Sequence, residues 1–373
     1  MSRALLGGYY FCYFAAQAAA GCCMNLYLTR ALGFSGVQLG WFYGLSALVT
    51  AAALPAIGQL ADRTGRSGWL LTAALTLTVL AADRLRTAAS LLAVLLWGGA
   101  WECGRSACVA LADRLAMGIC PAGRYGGVRA FGSLGFLVGG LAMGGLVERF
   151  GVERALFPVY LALGLGALGC SFGLHAPLKP AERSKLGLRK LLSIPEVRLS
   201  LWMGALGSVA VGSLQPYAAS HLVEGLGAPE RMLGWNTLCC VAPECVLLPL
   251  VSRRALPRWG ERRLFAVTTL ALCLRCALYA LAPGAGVFLL GSLLYGLSVC
   301  SYTAVNLSYL RRNVPGEQYA GAVLMSASAA ALGRAVFGWG FGAASEYWGG
   351  TGVFWLLFAA AVVTLPLLRK EKD

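Results

Sequence analysis

Charge is scarce in this chain of 373 residues: Asp, Glu, Lys and Arg together make up 13%, about half the share of an ordinary soluble domain. A conventional soluble surface is therefore excluded. Acid is scarcer than base, with 16 Asp and Glu against 31 Lys and Arg. Histidine occurs only twice, as His175 and His221. No metal-ligand cluster, nucleophile–base arrangement or phosphate-binding loop is visible, so neither a metal nor another cofactor is expected, and an enzyme is disfavoured. Cysteine is not scarce, but the 13 cysteines lie almost entirely inside apolar runs. Cys273 and Cys276 stand alone at helical spacing without a partner pair, so all are expected to be small core residues.

What fills the chain is apolar. Hydrophobic residues make up 58% of it, and the mean hydropathy is +0.69. That is a membrane-protein composition, and 49 glycines suit transmembrane helices packed closely through small residues. The net charge of +15 could suggest nucleic acid. The basic residues, however, sit in short segments between apolar runs, which fits membrane topology and no nucleic-acid face. The first apolar run, from Gly7, is long enough to span and is followed by further spans, so it does not read as a cleavable signal.

A span needs about 20 apolar residues. Twelve are expected, at 7–29, 38–58, 68–83, 88–113, 127–147, 153–174, 199–221, 232–251, 263–282, 285–308, 318–343 and 350–368. Between the sixth and seventh lies LHAPLKPAERSKLGLRKLLSIPEVR, with three prolines and six Lys or Arg. It reads as a cytoplasmic linker, residues 175–198, between an N-terminal half (1–174) and a C-terminal half (199–373). With both termini cytoplasmic, 21 of the 31 Lys and Arg fall on the cytoplasmic side and six on the outer side. The positive-inside rule therefore places both termini inside a bacterial-type inner membrane.

The halves echo each other. DRTGR (62–66) matches PRWGER (257–262), RAFGSLGF from Arg129 matches RAVFGWGF from Arg334, and ERFG from Glu148 matches EYWG from Glu346. The offsets are 195, 205 and 198 residues. Two repeats in the same orientation imply a transporter with its site between the halves, near the bilayer midplane. One chain carries both halves, so a monomer suffices.

GQLADRTGRS (Gly58 to Ser67) fits the loop signature G-x-x-x-D-R-x-G-R of the major facilitator superfamily and sits where that family has it. The resemblance implies an all-α fold of twelve transmembrane helices in two pseudo-symmetric halves. Gly58 and Gly65 would allow a tight turn, and Asp62 would form a charge latch with Arg63 and Arg66. RYGGVRAFGSLGF (Arg124 to Phe136) and GWNTLCCVAPE (Gly234 to Glu244) resemble a narrower branch, that of lactose permease and the phenylpropionate-type and nucleoside-type proton symporters. There, an acid late in the fourth helix partners an arginine early in the fifth, matched here by Asp113 and Arg129. An eighth-helix glutamate matches Glu244 and a ninth-helix arginine matches Arg275. The branch usually carries a tenth-helix histidine, where LLYGLS places Tyr295, and no Asp or Glu occurs between Gly284 and Val314. Proton coupling through a histidine is not expected.

The charges inside spans carry the rest. AWECGRSACVALADR (Ala100 to Arg114) puts Glu102, Arg105 and Asp113 in one helix, with Glu102 and Asp113 about 20° apart around the axis. Such a stripe points to a cavity, because lipid exposure costs kilocalories per group. Alternatively, Glu102 and Arg105 only neutralise each other, and Asp113 sits at the interface. Pairing Glu102 with Arg105, Asp113 with Arg129 and Glu244 with Arg275 leaves Arg334 over. That arginine either binds an anionic or strongly hydrogen-bonding solute group, or shares a carboxylate or snorkels outward. The candidate solute-binding residues are Arg129, Arg334, Arg105, Tyr13, Gln17, Tyr27, Trp101 and Trp235. The candidate proton-coupling residues are Glu244 first, then Asp113, with Glu102 and Arg275. The expected function is proton-coupled symport of a small polar or anionic organic solute (a sugar, nucleoside or aromatic acid) by alternating access. A major facilitator exporter is the alternative, and a transporter-like sensor a third reading.

Overall fold

The computed structural model describes residues 2–120, 125–175, 192–314 and 316–368. Its backbone is built from rods. They are α1 (Ser2–Arg30), α2 (Gly36–Thr64), α3 (Ser67–Thr87), α4 (Leu91–Ile119), α5 (Tyr125–Phe150) and α6 (Val152–Ser171). After them come α7 (Pro195–Gly225), α8 (Met232–Trp259), α9 (Glu261–Ala280), α10 (Ala285–Asn313), α11 (Gly316–Trp348) and α12 (Gly352–Leu367). No strand occurs among the described residues. Helices are what a bilayer permits, since each satisfies its own backbone polar groups.

Ten rods are long and apolar enough to cross a membrane. The 16-residue α12 is shorter, and the charges of α4 dilute its hydropathy. The expected spans coincide with these rods, but α3 and α4 run on to Thr87 and Ile119. Asp83, Arg84 and Arg86 at the end of α3, and Asp113 and Arg114 within α4, break the hydropathy signal while the backbone continues unbroken. Most of the linker expected at 175–198 lies outside the described residues.

The chain divides into two compact units: residues 1–33, 41–182 and 229–237 form unit 1, and residues 34–40, 183–228 and 238–373 form unit 2. In unit 1, α1 packs along α5 and α6, and α3 along α4. A Cβ at Gly139 would lie 2.6 Å from the Ala15 carbonyl, so α5 approaches α1 as only a glycine allows. Unit 2 repeats this crossing between α7 and α11, where a Cβ at Gly333 would lie 2.8 Å from Ala205 Cβ.

The backbone confirms the sequence repeat in a way composition could not. All positive-φ residues among those described are glycines: Gly33, Gly65 and Gly151 in unit 1, and Gly227, Gly260 and Gly349 in unit 2. They pair at separations of 194, 195 and 198 residues. The same left-handed turns close the same rods in both units. One feature is not repeated. Val209–Ser213, His221–Gly225, Val251–Ala255 and Ser301–Val305 are π-helical, and all four stretches belong to unit 2.

Candidate functional site

The leading helix of each unit holds two arginines, and the holding positions repeat. In unit 1 they are Tyr10 and Gln17 of α1. In unit 2 they are Ser208 and Gln215 of α7, each 198 residues later.

The α1 sequence GYYFCYFAAQ puts Tyr9, Tyr10, Tyr13 and Gln17 at helical spacing towards α4. Tyr9 OH donates to the Cys108 carbonyl at 3.2 Å, and Tyr13 OH donates to the Arg105 carbonyl at 2.5 Å. These bonds fix α4 against α1. Arg105 donates through Nε to Glu102 Oε2 at 2.7 Å and through Nη1 to Gln17 Oε1 at 2.6 Å, with its guanidinium 5.2 Å from the Trp101 ring centre. Seven residues before Gln17 on α1, Tyr10 OH donates to Asp113 Oδ1 at 2.6 Å. Arg129 of α5 brings Nε to 3.7 Å from the same oxygen, and its guanidinium lies 4.1 Å from the Phe14 ring centre. Arg105 and Arg129 thus each have a carboxylate and an aromatic neighbour.

In unit 2 the hydrogen bonds of the two arginines, Arg275 and Arg334, go to neutral groups. Arg275 of α9 is fully buried. It donates Nε to Tyr279 OH at 3.2 Å, Nη1 to the Ala210 carbonyl at 3.0 Å and Nη2 to Gln215 Oε1 at 3.0 Å. Tyr279 and Tyr295 lie on its guanidinium, each ring centre at 5.1 Å. The hydrogen bonds of Arg275 thus go to neutral acceptors, where a pairing with Glu244 was expected. Ala210 belongs to the π-helical stretch Val209–Ser213, so this bond is made at the wide turn of α7. Arg334 of α11 donates Nη1 to Ser208 Oγ at 2.7 Å and has no ion pair among the described residues. A Cβ at Gly212 would lie 3.3 Å from its Cδ. The two arginines thus flank one π turn.

Glu244 follows Pro243 on α8 and is half-buried. A Cβ at Gly296 would lie 2.9 Å from the Glu244 backbone, so α10 crosses α8 there. Several sequence candidates are placed differently from expectation. Tyr13, Tyr27 and Trp101 are buried. The Tyr27 hydroxyl donates to the Arg86 carbonyl, and Tyr27 packs edge-on against Phe157. Their aromatic character serves helix packing in this structure. Trp235 is 51% exposed. All 13 cysteines are free, but Cys245 is exposed, so it is not the core residue expected of it. It follows Glu244 on a face of α8 that packs against little.

The loop motif also differs from expectation. Asp62 pairs with Arg114, in the C-terminal part of α4, while Arg63 and Arg66 are exposed. Nothing within the motif points to Arg114. The repeat does, since Arg312 stands 198 residues later and binds Glu261 at 3.3 Å. Ser308 also donates to Glu261, at 3.0 Å. Gln215 and Ser208 were likewise missed by motif reading, and the same offset from Gln17 and Tyr10 would have found them. No group of three metal-ligating side chains occurs among the described residues.

Comparison with known proteins places this geometry. Residues 4–357 match the MFS_1 like family. The maltose permease of Geobacillus stearothermophilus is 28% identical over 334 residues, which cover 89% of this chain and 84% of that one. Among solved structures, a mutant of the nucleoside transporter NupG superposes with a TM-score of 0.85 at 15% identity, covering 99% of each chain. A D-xylose-proton symporter gives 0.73 at 15% identity, covering 100% of this chain and 97% of that one. At these identities the two structures establish the fold alone.

Proposed function

Since the chain belongs to the MFS_1 like family and is a major facilitator transporter, not an enzyme, we propose that it is a proton-coupled symporter of a small polar organic solute. It works as a monomer in the cytoplasmic membrane, with both termini inside. The halves 1–174 and 199–373, joined by the linker 175–198, alternate access by rocking. A sugar is the favoured solute class, because the curated relative is a maltose permease.

The observation that carries the reading is the Asp113–Arg129 pair. At 3.7 Å it is an ion pair without a direct hydrogen bond, and each side chain remains 31% exposed. Tyr10 holds the carboxylate independently of the arginine. A solute group that takes Arg129 leaves Asp113 with Tyr10 alone, and a proton then replaces the lost positive charge. Transport of solute and proton become one event. Glu244 offers a second carboxylate for the same exchange. Arg334, which donates to the Ser208 hydroxyl and has no ion pair among the described residues, supplies a fork for a solute oxygen.

The test is external pH in a weakly buffered, anaerobic suspension of expressing cells, to which maltose, xylose, uridine and 3-phenylpropionate are added in turn. Alkalinisation is expected with at least one, and both Asp113→Asn and Glu244→Gln should reduce it at least tenfold while solute exchange persists. Solute entry with no pH change would overturn proton coupling.

A further inference from the structure

At Gln17 the paired geometry is incomplete. Its carbonyl oxygen is fixed by Arg105 Nη1, and that donor also fixes which end of the amide is nitrogen. The Nε2 group is buried, in a residue only 5% exposed, and has no hydrogen-bond partner among the described residues. Gln215, at the same position in unit 2, spends its Nε2 on Cys240 Sγ at 3.2 Å. A buried amide donor left unsatisfied costs free energy. It persists where a ligand completes it.

The neighbours of Nε2 indicate the chemistry of that ligand. Glu102 uses Oε2 for both Arg105 contacts, from Nε and Nη2, which leaves Oε1 as an acceptor. Arg105 retains N–H groups beyond those given to Glu102 and Gln17. The pair cancels its own charge, so the cluster presents a strong acceptor beside strong donors with no net charge. An anion would meet Glu102 and be repelled, and a cation would meet Arg105. A hydroxyl both donates and accepts, and two adjacent hydroxyls match an acceptor next to donors.

We propose that Gln17, Arg105 and Glu102 form a subsite that reads a vicinal diol of an uncharged, polyhydroxylated solute. One hydroxyl donates to Glu102 Oε1, and the neighbouring oxygen accepts from Gln17 Nε2 and the open edge of Arg105. The subsite lies on α1 and α4 of unit 1 alone, and it narrows the transport reading above to neutral solutes.

The test is equilibrium binding to the purified full-length protein in lipid nanodiscs, which needs no proton gradient and so fails or succeeds independently of coupling. The probes are maltose, xylose, uridine, 2′-deoxyuridine and 3-phenylpropionate. Uridine and 2′-deoxyuridine differ only in the diol, and maltose and xylose separate a sugar from a nucleoside source. Saturable binding of maltose, xylose or uridine is expected. Gln17→Leu should weaken it about tenfold, the worth of one good hydrogen bond, and Glu102→Gln should weaken it at least as much. If uridine binds, 2′-deoxyuridine should be weaker by a similar factor. The proposal is overturned if none of the three diols binds, if 3-phenylpropionate binds in their place, or if both variants, shown by gel filtration to be folded, bind as tightly as the parent.

Discussion

Unit 1 and unit 2 use the same scaffold to hold arginine in opposite ways. Positions 10 and 17 on α1, and 208 and 215 on α7, each grip two guanidinium groups. In unit 1 the arginines are answered by Glu102 and Asp113. In unit 2 they are answered by a serine, a glutamine, a tyrosine and one backbone carbonyl. The difference teaches that a repeat conserves the place of a polar contact without conserving its charge balance. A neutral cage can hold a buried cation if every remaining N–H finds an acceptor, and the Ala210 carbonyl, in the π turn of α7, is one of those acceptors. Unit 1 is charge-balanced and suited to exchange. Unit 2 retains positive charge.

The sharpest way to break this comparison is to remove the arginines one at a time. Arg275→Leu strands the Ala210 carbonyl and Gln215 Oε1 in a buried site, at about 1 kcal/mol or more each, and leaves Tyr279 OH with Ser292 Oγ alone. Thermal unfolding of the purified protein should show a loss of about 2 kcal/mol or more. Arg105→Leu strands Glu102 as well as Gln17, and the double variant Glu102→Leu/Arg105→Leu should recover part of that loss, as expected for a mutually compensating pair. Arg334→Leu leaves the Ser208 hydroxyl its bond to the Ala330 carbonyl and should cost about 1 kcal/mol or less. An equal loss for Arg275→Leu and Arg334→Leu would end the distinction between a caged and a loosely held arginine.

The comparison is sharpened by giving unit 2 the carboxylate it lacks. Ser208 is buried and 2.7 Å from Arg334 Nη1, so Ser208→Asp installs an acid where Tyr10 of unit 1 merely reaches one. The protein should keep or gain stability while uptake falls about tenfold or more, because Arg334 is then neutralised internally. Arg334→Ala should lower uptake similarly. Unchanged uptake in both variants would remove Arg334 from the solute path.

The helical architecture was legible because hydropathy and basic loops are local signals. DRTGR and PRWGER lead directly to the turns at Gly65 and Gly260. The pairing of Glu102 with Arg105 was legible for the same reason, being three residues apart on one helix. What escaped was every contact made by a neutral partner. Ser208, Gln215 and the Ala210 carbonyl carry no charge to count, so matching acids with bases assigned Arg275 to Glu244. The tyrosines of α1 were legible as aromatic but not as ties to α4, because a hydroxyl bonding a distant carbonyl leaves no periodic trace.

The smallest effect belongs to the pair of latches that the repeat brings to corresponding ends, Asp62–Arg114 in unit 1 and Glu261–Arg312 in unit 2. Asp62 is 45% exposed and Arg312 73%, so solvent screens both pairs and each contributes about 0.5 kcal/mol. Glu261 is the better buried acid, with 11% exposure and a second bond from Ser308. Glu261→Gln should therefore destabilise slightly more than Asp62→Asn, and double-mutant cycles with Arg312→Ala and Arg114→Ala resolve the two couplings. Raising salt should shrink the Asp62–Arg114 coupling more than the Glu261–Arg312 coupling, since the more exposed carboxylate is the more strongly screened. A larger and salt-insensitive coupling at Asp62 would reverse the order and make unit 1 the more firmly tied of the two.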